Sequence, residues 1–140
     1  MAGPYLIRTV SLLETLVGRA AVIPPSDQAF GVQCVGLVKL YSDCGATSGW
    51  RKGANVHGLT TLAPGTVIAT FNASGLYASL RTGNHACFFV KFLPGGDGIL
   101  VLEQHVPPNP NIIRTRAIYF RGPNAAVSPP NNGDAFSVVM

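Results

Sequence analysis

An α+β fold, with two N-terminal helices laid against one side of an antiparallel sheet, is the architecture the sequence predicts. Three features predict it. Helix-spaced apolar residues are confined to the first third of the chain, over 10–17 and 35–41. From residue 64 onward, β-branched and aromatic runs alternate with turns rich in Gly and Pro. Helices and strands segregated in this way stack as layers, and strands joined by short turns pair with their sequence neighbours. Composition agrees, because 16 Gly and 11 Pro in 140 residues imply many turns. Hydrophobic residues at 47% against charged residues at 11% supply a core for one domain over 1–140.

Each element has its own justification. Val10, Leu12, Leu13, Leu16 and Val17 recur at helical spacing, Thr9 or Ser11 is placed to cap the start, and Gly18 to end it, so 9–18 reads as a packing helix. Pro24-Pro25 and Ser26-Asp27 make 20–29 a loop. Val35, Val38 and Tyr41, with Leu37 and Leu40 beside them, predict a short buried helix that begins near Cys34. The polar stretch 46–62 holds Trp50, the single tryptophan, which either lines a cleft or plugs the core edge. Strands follow at 64–71, 83–92, 99–105 and 112–120, with turns at 72–75 and 94–98 and a break at Pro107, Pro108 and Pro110. A Pro- and Asn-rich loop from about 121 precedes a further edge strand at 136–140.

Several function classes fall away. The net charge of +4 comes from scattered Lys and Arg without interleaved aromatics, so no nucleic-acid partner is expected, whereas an anionic polymer such as cell wall is compatible. No glycine-rich phosphate loop and no paired carboxylates occur, so nucleotide and glycosidase chemistry are not expected, nor is a cofactor. Three cysteines cannot all pair within one chain, and no CxxC or Cys/His spacing reads as a metal site. Cys34 and Cys44 would lie roughly 15 Å apart along a continuous helix; a bridge between Cys44 and Cys87 stays open. No secretory leader is visible and no apolar run has membrane-spanning length, so the expectation is a chain made in the cytoplasm, without membrane insertion, that leaves by a signal-independent route.

The candidate chemistry starts at Cys34. In the first turn of a helix, free backbone N–H groups and the helix dipole favour the thiolate; a small buried hydrophobe is the alternative reading. Pairing 85–92 with 98–105 around the 94–98 turn brings His85 and Glu103 to the same end of an otherwise apolar ribbon. Titratable groups are costly there without a purpose. Thiolate, imidazole and carboxylate then form a nucleophile, a base and its orienter. Gln104 competes as orienter, because a one-residue register change exchanges the two faces. Asn84 and Trp50 are candidates to line the cleft, while His57 and His105 read as surface residues.

These residues carry a resemblance. Cys34 at a helix start, Gly83-Asn84-His85-Ala86 opening a strand, and the downstream Glu103-Gln104 pair resemble the CHAP and NlpC-type branch of papain-like cysteine amidases. The small size, Trp50-Arg51-Lys52-Gly53 and the run from Gly65 to Phe71 resemble type VI secretion amidase effectors, over roughly residues 30 to 120. The resemblance implies a papain-like fold, with Cys34 as nucleophile, His85 as base and Glu103 as third member. It departs at His105, where CHAP sequences often carry Asn. It further implies peptidoglycan as substrate, with the γ-D-glutamyl–diaminopimelate bond or the D-alanyl–diaminopimelate cross-link cut (the cross-link favoured), secretion into a target periplasm, and a cognate immunity protein. The competing classes are a non-catalytic papain-like module that binds wall or protein, and an acyltransferase relative.

Overall fold

The computed structural model describes residues 3–80 and 82–140. Within them lie α1 (Leu12–Thr15), α2 (Cys34–Tyr41), β1 (Lys52–Asn55), β2 (Val67–Thr70), β3 (Ala86–Phe92), β4 (Gly98–Glu103), β5 (Arg114–Tyr119) and β6 (Phe136–Val139), with short 3-10 turns between them. The strands form one antiparallel sheet in the order β1-β6-β2-β3-β4-β5. Alternation along each strand gives it two apolar faces. Val67, Ala69, Ala86, Phe88 and Leu102 pack with Val35, Leu37 and Val38 of α2 on one face. Ile68, Cys87, Phe89, Val101, Ile118 and Phe136 form the core on the other. The α+β layout is the expected one, and no helix among the described residues is long and apolar enough to cross a membrane.

Three elements differ from expectation. The first helix shrinks to the single turn Leu12–Thr15. Beyond it the backbone turns to pair elsewhere: Gly18 adopts φ +86° and donates to the Ile113 carbonyl at 2.8 Å, and Ala20 bridges Ile112. That pairing satisfies the backbone groups a longer helix would have used. Polar Lys52–Asn55 is a strand rather than loop, because β6 offers it a ladder. β6 is no edge; it lies between β1 and β2. The loop before β6 is fastened by Asn132, whose Oδ1 accepts from the Arg121 N–H at 3.0 Å and whose Nδ2 donates to the Gly122 carbonyl at 2.9 Å. All three cysteines are free thiols, so Cys44 and Cys87 are not bridged.

One irregularity sets the site. Near the β3–β4 turn, Phe92 pairs with Ile99 and Lys91 with Leu100, but farther along Phe89 pairs with Val101 and Phe88 with Leu102. Val90 is therefore an extra residue in β3, a bulge. Continuing the register places Glu103 on the face of Cys87, which is also the face of His85 two residues away, a diagonal cross-strand neighbour. Without the extra residue Gln104 would share that face instead.

Candidate active site

Cys34 is the first residue of α2, preceded by Gln33 in extended conformation; no side chain caps the helix start, and the Gly36 N–H donates to the Gln33 carbonyl at 3.1 Å. The helix starts where it does because the chain before it is clamped. The buried Gln104 side chain accepts from the Val22 N–H at 2.8 Å and donates to the carbonyls of Val22 at 2.9 Å and Gln33 at 2.7 Å. Gly36 makes room for this clamp, since a Cβ there would come within 2.9 Å of the Val22 carbonyl oxygen and 3.1 Å of Gln104 Nε2. A second clamp is the ion pair of Lys39 Nζ with Asp27 Oδ2 at 3.0 Å, which ties the approach loop to α2.

His85 sits just before β3, its N–H donating to Thr70 Oγ1 at 2.9 Å and its ring meeting Phe136 edge-on with centroids 6.3 Å apart. Its Nε2 meets Glu103 Oε1 at 2.9 Å, which leaves Nδ1 as the ring nitrogen available to Cys34, whose thiol lines the same cleft and shifts the imidazole. Glu103 is fully buried. It is held by a two-pronged Arg116 guanidinium, Nε to Oε2 at 2.6 Å and Nη2 to Oε1 at 3.0 Å. Arg116 is fixed in turn by Asn131 Oδ1 at 3.0 Å and the Pro130 carbonyl at 2.9 Å. The result is a chain of four groups, thiol to imidazole to carboxylate to guanidinium, each oriented by the next.

The electrostatics follow from that chain. Burial pushes the Cys34 thiol up, but the hydrogen bond and charge of His85, with smaller help from Tyr77 and the Ala86 backbone, outweigh it and leave the thiol below its ordinary value. Burial pulls His85 down, yet its bonds to Cys34 and Glu103 win and raise it to about 9. Burial likewise opposes ionisation of Glu103, and His85 and Arg116 overcome it, lowering that carboxyl. The two shifts favour the charged pair, thiolate beside imidazolium, over the neutral one. Cys44 and Cys87 have no such partners, and burial raises both thiols.

Cys34, His85 and Asn84 line a cleft of about 800 Å³, together with Phe30, Tyr77 and His105. A second hollow of about 590 Å³, lined by His57, Tyr119 and Arg121, lies by the β3–β4 turn at Gly96–Asp97 and contains none of these groups. Among the described residues, no group of three or more His, Cys, Asp or Glu is placed to hold a metal ion.

With this geometry in view, comparison with known proteins is specific. A family model described as domesticated amidase effector 2 matches residues 13–139. The chain belongs to this amidase effector family. A type VI secretion amidase effector 2 protein of Salmonella typhi is 44% identical over 72 residues, which is 51% of this chain and 52% of that protein. The chain thus matches about half the length of that curated relative. A solved structure of type 6 secretion amidase effector 2 is 29% identical, superimposes with a TM-score of 0.74, and is matched over 99% of this chain and 95% of that one.

Within this amidase effector chain, the structure decides two positions that the sequence left open between alternatives. Gln104 is not beside His85; the Val90 bulge turns it to the helix side, where it clamps 22 and 33. Trp50 does not line the cleft: it is 1% exposed, with Nε1 donating to the Cys44 carbonyl at 2.9 Å and its ring at 5.0 Å from Tyr77. His57 stacks on Phe120 and pairs with Asp134 at the surface, whereas exposed His105 borders the cleft. Sequence reasoning passed over Tyr77 and did not assign Arg116 to the site. Arg116 has a visible signal, a cation on the strand next to a buried Glu; Tyr77 has none in its spacing.

Three expectations arise here. Gln104→Leu leaves the Val22 and Gln33 backbone groups without partners and should lower stability by on the order of 3 kcal/mol in urea denaturation. Iodoacetamide at pH 7 should label Cys34 about 100-fold or more faster than Cys44 or Cys87, since Cys34 lines the cleft with a lowered thiol while the other two are buried and raised. The histidine contributes stability that is fully present below its ordinary value of 6.5 and is lost as pH rises through about 9. Glu103 works oppositely, contributing above its ordinary 4.5 and losing that contribution as pH falls through its lowered value. The lowered Cys34 thiol offsets the histidine on the alkaline side, so unfolding midpoints measured across pH should fall mainly on the acid side, as pH drops below the ordinary 4.5 of Glu103.

Proposed function

We propose that the chain is a cysteine amidase that hydrolyses an amide of peptidoglycan, in the peptide stem or, the favoured choice, at the D-alanyl–diaminopimelate cross-link. The observation that carries this reading is the buried line from Cys34 through His85 to Glu103, whose thiol end opens on the cleft. Membership of an amidase effector family supports the reaction type, and the net charge of +4 suits an anionic wall polymer.

In the reaction, the Cys34 thiolate adds to the amide carbonyl and forms a tetrahedral oxyanion. The backbone N–H of Cys34 donates to that oxygen. Collapse expels the amine, which takes the proton held by His85, and leaves a thioester. Neutral His85 then takes a proton from water as it attacks; the C–S bond breaks, the carboxylic acid leaves and ionises in solvent, and the thiolate–imidazolium pair is restored. Glu103 keeps Nε2 protonated and the ring aligned throughout, so Nδ1 carries the proton traffic. The relatives named for type VI secretion support delivery of this chain into a rival cell, and the matching partner is an immunity protein that occupies the cleft in the producer.

The test is digestion of purified Gram-negative sacculi by reduced, folded protein, with fragments read by mass spectrometry. Conversion of cross-linked dimers to monomers, with one water gained per cut, is expected. Intact sacculi would overturn the assignment and favour a wall- or protein-binding module.

A further inference from the structure

We propose that Tyr77 is a catalytic residue, its phenol proton held toward Cys34 as the side-chain donor to the oxyanion. The inference rests on the reading of Cys34 as nucleophile. Tyr77 Oη lies 3.6 Å from Cys34 Sγ. Asn84 Nδ2 donates to the same phenol oxygen at 2.9 Å. A phenol has one proton, and a donor such as the Asn84 amide does not use it, so it remains available on the sulfur side. The ring is not free to swing: Tyr77 is 8% exposed and rests against Trp50, 5.0 Å between centroids, which is itself fixed to the Cys44 carbonyl. Asn84 Oδ1 is buried without a partner among the described residues. Holding the amide that way round is costly, and what it achieves is the orientation of the phenol. Burial and the neighbouring thiolate keep the phenol far above its ordinary value, so it stays a donor at working pH.

The bond changes fit this role. In the resting site the phenol donates to the thiolate. When sulfur bonds to the carbonyl carbon, the C=O π pair moves to oxygen and the sulfur ceases to be an anion. The nearest strong acceptor is then the oxyanion one bond beyond, which receives the Tyr77 hydroxyl and the Cys34 backbone N–H. On collapse the pair returns, the C–N bond breaks, and nitrogen leaves with the proton of His85. Tyr77 keeps its own proton from start to finish. Asn84 is a positioning residue that aims it.

The test compares wild type with Tyr77→Phe, which keeps the ring that packs on Trp50, and with Asn84→Asp, which keeps the shape but can only accept and so draws the phenol proton away. On sacculi, Tyr77→Phe should lose about 10²–10³-fold in kcat with KM little changed. A second arm needs no turnover: reversible addition of an N-acetyl-D-alanine aldehyde to Cys34, read as protection from iodoacetamide. Tyr77→Phe should weaken that adduct by a similar factor, and Asn84→Asp should weaken both readouts. Unchanged kcat and unchanged aldehyde affinity in Tyr77→Phe would overturn the role of Tyr77 while leaving the amidase reading in place. Full activity in Asn84→Asp would overturn the assigned donor direction. If wild type leaves sacculi intact, the amidase reading fails and the aldehyde arm still decides: loss of the adduct in Tyr77→Phe supports the oxyanion donor, and an equal or absent adduct in both proteins overturns it.

Discussion

Cys34→Ala is expected to lose sacculus hydrolysis by at least about 10⁴-fold, because no other group in the cleft can form the thioester. Its fold should survive. The residue stands at the open end of α2, and the core under that helix is made by Val35, Leu37 and Val38. The loss is the partner of one imidazolium that still holds Glu103, so stability should change by about 1 kcal/mol, within the range common for single substitutions. The variant also has a spectroscopic consequence: with the thiolate gone, His85 should titrate lower than about 9, visible by NMR of the imidazole. A Cys34→Ala protein that still cuts sacculi would falsify the nucleophile assignment.

Glu103→Gln tests the other end of the chain and should show two separable effects. The amide keeps the volume but removes the charge that favours the imidazolium and aligns its ring, so turnover should fall about 10²–10⁴-fold. It also leaves the Arg116 guanidinium, 18% exposed at its side chain, without its counter-charge. Breaking a buried pair from one side costs about 3–5 kcal/mol. Adding Arg116→Met to Glu103→Gln should recover much of that stability in urea denaturation and none of the activity. Recovery of activity by the double variant would show that Glu103 serves packing alone.

Much of this site is legible in the sequence, and the parts that are not have physical reasons. The thiol at a helix start, the histidine opening a strand and the two polar residues closing the next strand stand out against their apolar surroundings. The geometry puts Cys34, His85 and Glu103 together, but choosing Glu103 over Gln104 required the Val90 bulge. That bulge leaves no mark in composition, since Val90 is as good a strand residue as its neighbours. β1 was hidden because its strand state comes from the β6 ladder and not from its own polar residues Lys52–Asn55. α1 reads longer than it is because periodicity does not register the competing pairing of Ala20 with Ile112. Trp50 is open between two roles in sequence, and only its tertiary neighbours, the Cys44 carbonyl and the Tyr77 ring, decide between them.

The place of β6 inside the sheet has a consequence for when the site comes into being. Phe136, which abuts the His85 ring, and Val138, which pairs with Ile68, belong to a strand separated from β2 by more than sixty residues of chain. During synthesis, β2, β3 and β4 emerge first and leave that side of the sheet unpaired. The histidine pocket cannot close until residues 136–139 have cleared the ribosome, and such a long-range pairing is a late step in folding. A growing chain that already contains Cys34, His85 and Glu103 is therefore a thiol, an imidazole and a carboxylate without a common frame. The three groups gain that frame only when β6 joins the sheet, not when their own strands and helix are formed.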